Sequence, residues 1–353
     1  MFIRSLVFAA GVIGTVWVLV SIVRSVVIPR PERVWLTVTL FNVSRRIAHW
    51  LGAKVPSWMR HKILGAFAPS VLLSLPLIWS AGLIASFACM YWAVGVGSWS
   101  ESFGFSGSSI TTLGFIPPPN GAAQALAVIE ALLGLGIVAL MISFLPTLYG
   151  TFSRREIAVG KLTTRAGEPP NPVTLLTRLN AIGRAHPIEE GWAEWEGWFV
   201  ELGETHTSFP ALIYFRSASP DRSWLTAAET ALDTAALVNC LGFEARPGSA
   251  ELMLRSGALA LRSIADFYRV EPEMSRLGTG VDSLSITRDD FDMLVDAIAS
   301  AGVPVPDGRD AAWETFIGWR MNYDRSIVGL RALVGDLPSY WGSDDDMVVM
   351  PGD

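Results

Sequence analysis

The sequence is poor in the residues that bind metals and carry out redox chemistry. Its 353 residues include two cysteines, Cys89 and Cys240, and four histidines. Neither cysteine belongs to a metal-ligand spacing, and disulfides are rare in reducing compartments, so two buried free thiols are expected. A glycine-rich phosphate loop, a nucleotide fingerprint and a nucleophile elbow are also missing. Because these signatures are absent, we expect neither enzymatic activity nor a cofactor.

Charged residues are scarce in the first part of the chain and unevenly distributed over the whole. Residues 1–156 contain 11 Lys and Arg against 4 Asp and Glu, whereas the remainder contains 16 against 29. With 51% hydrophobic residues and a mean hydropathy of +0.39, the chain is too apolar for an ordinary soluble protein. This distribution indicates a basic membrane unit joined to an acidic soluble domain, and nucleic acid is not an expected partner.

Three apolar runs are long enough to cross a bilayer core, which takes about 20 residues. They are Leu6 to Val27, Ala68 to Val96 and Ala122 to Tyr149. The first lacks a small-residue cleavage site and is expected to remain as a membrane helix. The loop between the first two runs is basic, so the positive-inside rule predicts an outer N-terminus and a cytoplasmic C-terminus. Within that loop, residues 34–51 mix aromatic and cationic side chains, which predicts an amphipathic helix at the lipid interface.

The rear part of the chain has the pattern of a soluble helical domain, entered through a turn-rich stretch at residues 166–172. Helices are predicted over Val173 to Arg184, Glu189 to Leu202, Leu225 to Leu241, Ala250 to Tyr268, Arg288 to Ser300 and Asp310 to Val334. Thr287 is predicted to cap the fifth of them. From Ser343 onward the chain is expected to form an acidic tail.

A few aromatic and polar residues of this domain stand out. Trp192, Trp195 and Trp198 recur every three residues, which places them along one side of a helix. Stripes of this kind usually pack in a core, so we expect packing, with a ligand cage as the alternative. His206 and Arg216 are expected to form structural hydrogen bonds, because apolar surroundings force polar groups to find partners; effector binding is the alternative.

The segment between the second and third apolar runs carries the clearest motif. A serine-rich stretch, residues 102–110, predicts a short helix, and it is followed by Thr111, Thr112, Leu113, Gly114 and Phe115. This arrangement resembles the pore loop of the potassium-channel superfamily, in which a short pore helix leads into a Thr-x-Gly-Tyr/Phe-Gly selectivity filter. In such a filter, backbone carbonyls and a threonine hydroxyl replace the hydration shell of the ion. Gly114 would permit the unusual backbone angles that this requires.

The resemblance implies an all-α membrane protein. It would have three transmembrane helices, a re-entrant pore helix and filter between the second and third, and an all-α cytoplasmic C-terminal domain. The corresponding segments are residues 1–29 (N-terminal transmembrane helix), 30–66 (basic interfacial segment), 67–156 (pore module), 157–342 (cytoplasmic domain) and 343–353 (acidic tail).

The resemblance also implies what the protein does. One loop per chain implies a homotetramer that conducts monovalent cations, K⁺ first among them, passively across the plasma membrane of a bacterium. Membrane lipids would be its other partners, and the permeant ion its only bound metal. The cytoplasmic domain is expected to regulate gating or assembly.

Ile116 departs from the pattern of that family. It stands where the second filter glycine would be, and three prolines follow in place of the usual acidic residue. A β-branched residue resists positive φ, which leaves weak selectivity between K⁺ and Na⁺ as an alternative to K⁺ selectivity. A non-conducting membrane scaffold or sensor that keeps the pore fold is the alternative function. A transporter ranks behind both, because three spans show no paired repeat.

The third apolar run contains four candidate pore-lining or gating residues, Glu130, Gly134, Gly136 and Pro146. Because an ionisable group at membrane depth is costly, Glu130 is expected either to brace the pore helix from behind or to line the cavity and attract cations. The two glycines predict close helix packing, a gating hinge or both. Pro146 lies inside the apolar pattern and predicts a bend; the alternative is that it ends the helix.

Overall fold

A computed structural model describes residues 2–28, 35–52, 54–181, 186–217, 219, 221–243, 248–270, 284–305 and 307–335. Across these residues the chain is helical, and no β-strand is present. The fold divides into two compact units, Met1–Gly150 and Thr151–Asp353. The predicted acidic tail at 343–353 and the predicted end of one helix at Arg184 lie outside the described residues.

The first unit is built around one long helix. Its elements are α1 (Phe2–Ile22, continued by a π-helical turn, Val23–Val27), α2 (Trp35–Gly52), α3 (Ser57–Ala93), α4 (Trp99–Ile110) and the first part of α5 (Gly121–Ala166). Helices α1, α2 and α4 all pack against α3. The predicted interfacial helix over residues 34–51 corresponds to α2.

Three helices are long and apolar enough to cross a membrane. They cover Phe2–Val27, Lys62–Ala93 and Gly121–Ala166. The prediction of three apolar helices is therefore confirmed, although the second begins before Ala68 and the third continues well past Tyr149. Pro146 lies inside α5, so the alternative that it ends the helix is wrong.

Small residues hold α1 close to α3. A Cβ added at Gly11 would lie 2.5 Å from the carbonyl oxygen of Ser86, and one added at Gly14 would lie 2.5 Å from the Ser86 hydroxyl oxygen. Further along, Trp79 Nε1 donates a hydrogen bond to Ser21 Oγ at 3.3 Å. Close backbone approach and interhelical hydrogen bonds are the contacts that join helices in lipid, where burial of apolar side chains provides little driving force.

The second unit surrounds a central buried helix. Its elements are the end of α5, α6 (Pro172–Ala181), α7 (His186–Ser208), a 3₁₀ helix (Pro210–Tyr214), α8 (Trp224–Leu241), α9 (Gly248–Tyr268), α10 (Arg288–Ser300), α11 (Arg309–Arg320) and α12 (Asp324–Val334). Helix α8 packs against α6, α9, α11 and α12, and most of its residues are buried. This burial on nearly all sides places α8 in the core of the second unit, although the helix also carries buried polar residues.

The prediction of one helix from Asp310 to Val334 is wrong, because a turn separates α11 from α12. The side chain of Asn322 donates to the carbonyl oxygen of Gly318 at 2.9 Å and so satisfies one of the last carbonyls of α11. The predicted cap of α10 is confirmed: Thr287 and Asp290 form a reciprocal capping box.

Candidate functional site

Helix α4 begins at a capping box and ends within the first unit. Ser98 Oγ accepts the N–H of Glu101 at 3.3 Å, and the Glu101 carboxylate accepts the N–H of Ser98 at 2.6 Å. The helix ends at Ile110, and the hydroxyl of the C-cap residue Thr111 donates to the Gly107 carbonyl at 2.6 Å. Twelve residues make a helix of about 18 Å, which is too short to cross a bilayer.

The segment that follows α4, residues 111–116, is held by Ser108. The Ser108 carbonyl accepts the N–H of Gly114 at 3.2 Å, and its hydroxyl accepts the N–H of Ile116 at 3.4 Å. The Ile116 side chain turns back towards α4, where its Cδ1 lies 3.7 Å from the position that a Cβ would take at Gly104. One buried serine of α4 therefore sets the path of the segment.

Two residues of the segment have positive φ angles, Thr112 at 57° and Gly114 at 62°. Glycine adopts this conformation readily, whereas a β-branched threonine adopts it only under constraint. Ile116 does not have a positive φ. The backbone therefore takes the left-handed conformation at Gly114 but not at Ile116.

The main-chain carbonyl oxygens of residues 111–115 accept no hydrogen bond from any residue that the structure describes. The side chains of Leu113 and Phe115 are 70% and 66% exposed on the single chain. The segment lies at the C-terminal end of α4, which carries the negative end of the helix dipole. These carbonyl oxygens therefore have no donor within the described chain and lie next to a helix C-terminus, where the dipole favours positive charge.

Glu130 connects α5 to α3 and α4. Its side chain is 0% exposed. Oε2 accepts a hydrogen bond from the Tyr91 hydroxyl of α3 at 2.8 Å, and Oε1 accepts one from the Ser106 hydroxyl of α4. The Ile84 carbonyl oxygen, 3.2 Å from Ser106 Oγ, is a second acceptor for the same hydroxyl. Of the two roles predicted for Glu130, this geometry favours the brace behind α4.

The two glycines of α5 have different surroundings. Gly134 is buried, and a Cβ added there would lie 2.2 Å from the carbonyl oxygen of Ile110, the last residue of α4. Gly136 is exposed, and a Cβ added there would have no atom within 4 Å. Gly134 therefore lets α5 touch the end of α4, whereas Gly136 has no packing role within the described chain.

We expect Gly134→Ala to disturb the segment and Gly136→Ala to leave it intact. The methyl group at position 134 must displace the end of α4, and overpacking of this kind costs about 1–3 kcal/mol. The methyl group at position 136 enters open space, and alanine favours a helix by roughly 1 kcal/mol over glycine. Thermal unfolding in detergent and ion flux in liposomes measure the two effects. Equal behaviour of the two variants would contradict the packing role of Gly134.

A second polar cluster lies in the other unit, where five charged side chains are buried together. They are Glu229 and Asp233 of α8, Arg320 at the end of α11, and Asp324 and Arg331 of α12, none more than 8% exposed. Arg320 contacts all three carboxylates, at 2.6 and 2.7 Å from Asp233, 2.6 Å from Glu229 and 2.8 Å from Asp324. Arg331 contacts the other oxygen of Glu229 at 2.5 Å. The cluster ties α8 to α11 and α12.

The charges of this cluster do not balance, because three carboxylates face two guanidinium groups. Burial, with Glu229 nearby, raises the pKa of Asp233 to about 7 despite the contact with Arg320. Burial also acts to raise the pKa of Glu229, but Arg331 and Arg320 outweigh it and hold that pKa below its ordinary value. Since each charged group has an oppositely charged partner, we interpret the cluster as a structural one that stabilises the packing of α8 against α11 and α12.

Arg155, in the part of α5 that belongs to the second unit, holds the 3₁₀ helix. It donates to the carbonyl oxygens of Phe215 at 2.7 Å and Leu212 at 3.2 Å, and its Nη1 lies 3.5 Å from His206 Nε2. His206 Nδ1 lies 2.9 Å from the Leu202 carbonyl oxygen. Burial and the Arg155 charge lower the pKa of His206 to about 3, so the ring is neutral at physiological pH. His206 is a structural residue, as predicted.

The other residues singled out in the second unit are also structural. The three tryptophans of the stripe on α7 are buried in the hydrophobic core, so the predicted packing is confirmed. Arg216 donates to the carbonyl oxygens of Val334 at 2.7 Å and Gly335 at 2.9 Å, at the end of α12. Both cysteines are free thiols. Among the described residues, no group of three or more His, Cys, Asp or Glu could hold a metal ion.

Sequence reasoning missed Tyr91 altogether, and it missed the contacts that Ser106 and Ser108 make. Tyr91 lies 39 positions before Glu130, and no local pattern links the two. The spacing of Ser102, Ser106 and Ser109 was an available signal, because it places three hydroxyl groups along one face of α4. A polar face on a short helix between apolar runs indicates a buried polar partner.

Comparison with models of protein families, with characterised proteins and with solved structures finds no match to this chain.

Proposed function

We propose that this chain is one subunit of a homotetrameric cation channel in the plasma membrane of a bacterium. The observation that carries the proposal is the row of carbonyl oxygens at residues 111–115, which accept no hydrogen bond within the described chain. An ion that leaves water needs oxygen ligands in place of its hydration shell, and backbone carbonyls provide them. The hydroxyl of Thr112 would add one further oxygen at the inner end of the row.

More than one copy is required because one segment supplies ligands from one side of an ion only, and the resemblance to the potassium-channel pore loop implies four. The exposed side chains of Leu113 and Phe115 support assembly, since contact with neighbouring copies would remove this apolar surface from water. In a tetramer, each carbonyl of the segment would become a ring of four. A single chain would bind a cation poorly for the same reason.

Helix α4 would serve as the pore helix. Backbone that does not span the membrane is tolerated at membrane depth only where protein surrounds it. The buried serines of α4 and the Glu130 brace are consistent with that position. The C-terminal end of the helix is adjacent to the segment, so its dipole would favour a cation there.

The second unit would be cytoplasmic and would regulate gating or assembly. The positive-inside rule supports this orientation, with the N-terminus outside. Helix α5 also contributes Val159, Leu162 and Ala166 to the hydrophobic core of the second unit. The helix that carries Glu130 and Gly134 therefore ends in that core.

A non-conducting scaffold is the second candidate, and Ile116 is the feature that favours it. The Ile116 N–H is held by Ser108, and the residue lacks the positive φ that glycine would provide. The outermost carbonyl ring of a potassium filter would then be rotated away or missing. Such a pore would be weakly selective or closed.

Flux measurements in liposomes separate these candidates. We expect the wild-type protein to pass both K⁺ and Na⁺ with a modest preference for K⁺, and Ile116→Gly to increase that preference because a further carbonyl ring can form. Ile116→Val, which keeps the β-branch, is the matched control and should behave as the wild type does. Flux only after the change to glycine would support the scaffold, and no flux from any variant would contradict the channel.

A further inference from the structure

Helix α9 has an outward face that its own neighbours leave uncovered. Leu252 and Leu259 lie seven positions apart and are 57% and 54% exposed. Arg255 and Arg262, also seven positions apart, each lie three positions after one of the leucines and are exposed as well. Residues seven apart lie on one face of a helix. All four line a groove of about 440 Å³, to which the end of α11 contributes Trp319 and the turn after it contributes Asn322 and Tyr323.

The groove combines apolar surface with an excess of positive charge. Arg262 donates to the Asn322 carbonyl oxygen at 3.4 Å, and neither Arg255 nor Arg262 forms an ion pair with any carboxylate of the described residues. Glu251 is the one acid among the lining residues. A ligand with carboxylates next to apolar side chains would therefore complement this surface.

The chain itself contains such a segment. Residues 344–350 read Asp-Asp-Asp-Met-Val-Val-Met, which is three carboxylates followed by four apolar side chains. A second copy of α9 would instead bring arginine against arginine, and like charges disfavour that pairing. Charge complementarity therefore selects the C-terminal segment over self-association of this face.

The length of chain beyond α12 is sufficient for the segment to reach the groove. Helix α12 has 11 residues and a length of about 16 Å, and it begins immediately after Tyr323, which lines the groove. The eight residues 336–343 can span about 26 Å when extended. The chain beyond α12 is therefore long enough to reach the groove.

We propose that the groove is the docking site of residues 344–350 of the same chain. The aspartates would meet Arg255 and Arg262, and the methionine and valine side chains would cover Leu252 and Leu259. The segment would act as an internal ligand of the second unit, displaced by a competing peptide that is both acidic and apolar. This contact does not depend on whether the first unit conducts ions.

Disulfide trapping in the full chain tests the proposal. In a background with Cys89→Ala and Cys240→Ala, Leu259→Cys and Val348→Cys should form a disulfide within one chain under mild oxidation, because a disulfide requires Cα atoms less than about 7 Å apart. Mass spectrometry of the linked peptides measures it. Met293→Cys, exposed on α10, paired with Val348→Cys is the matched control and should remain reduced.

A charge exchange tests the chemistry of the contact. Arg255→Glu with Arg262→Glu should slow trapping about tenfold, and adding Asp344→Lys with Asp345→Lys should restore it, because the opposite charges are again paired. Since both arginines are exposed, the melting temperature should not change. Any of three results would overturn the proposal. These are a disulfide between two chains, a disulfide of position 348 with position 293 that forms as fast as the one with position 259, and an unchanged trapping rate after the charge changes.

Discussion

Replacing Glu130 with alanine is expected to abolish ion flux while the second unit remains folded. The change leaves the Tyr91 hydroxyl without its acceptor, removes one acceptor of Ser106 and opens a cavity between α3, α4 and α5. Each buried donor left unpaired costs about 1–3 kcal/mol. Because α4 would lose its link to α5, the segment after it would lose its fixed position. Flux in liposomes and the oligomeric state in detergent measure the outcome.

Smaller changes at the same site show how the loss arises. Tyr91→Phe and Ser106→Ala each remove one of the two hydrogen bonds and should give intermediate losses, with coupling energies obtained from double-mutant cycles against Glu130→Ala. Glu130→Gln keeps one good acceptor and should retain part of the activity. Full flux from Glu130→Ala would contradict the brace. A reduced single-channel conductance in Glu130→Gln, with assembly unchanged, would instead support the cavity-lining role.

Replacing Arg320 with methionine is expected to unfold the second unit or bring it close to unfolding. Methionine has a similar length, but it leaves the carboxylates of Glu229, Asp233 and Asp324 buried with Arg331 as their remaining cation. Removing one partner of a buried ion pair costs about 3–5 kcal/mol, which is comparable with the lower end of domain stability at about 5 kcal/mol. Urea unfolding followed by tryptophan fluorescence measures the loss.

The same substitution at a different arginine provides the control. Arg288 also has two carboxylate partners, Asp292 and Asp310, but it lies at the surface, where water screens the pairs. Arg288→Met should therefore unfold close to the wild-type midpoint. Adding Asp233→Asn to Arg320→Met should recover part of the stability at alkaline pH, because the amide cannot ionise, whereas a buried Asp233 without Arg320 must either bind a proton or remain as an unpaired charge. Equal midpoints for the two single variants would show that the buried cluster does not stabilise the unit.

The sequence was sufficient for features that depend on local composition. The three apolar helices could be predicted because crossing a bilayer requires length and hydrophobicity, which are read directly from the residues. The end of α5 could not be predicted from hydropathy, which falls after Tyr149. The charged residues that follow are good helix formers and no proline interrupts them, so the helix continues to Ala166. The turn between α11 and α12 contains neither glycine nor proline and depends on tertiary contacts.

In the candidate site, too, the local motif could be predicted from the sequence, whereas the long-range contacts could not. The motif at Thr112 to Phe115 is continuous in the sequence and could be recognised, and Ser108, which holds it, is only a few positions away. The contacts that fix α4 and the buried charged cluster come from far along the chain. Ser106 lies 24 positions before Glu130, and Arg320 lies 87 positions after Asp233. The four-residue spacing of Glu229 and Asp233 can be seen in the sequence, and it places two carboxylates on one face of an alanine-rich helix. Their partner Arg320 could not be identified from the sequence, because ion pairs between helices depend on how the helices pack.

The backbone of Thr112 has a consequence for the permeant ion itself. A φ of 57° at a β-branched residue stores about 1–3 kcal/mol of strain, which some other interaction must balance. In the proposed channel, a cation that binds this conformation and no other stabilises it by mass action, in proportion to the logarithm of its concentration. The ion would then stabilise the structure of the filter as well as pass through it. Depletion of the ion would by itself let the segment relax and stop conduction, without any movement elsewhere in the protein.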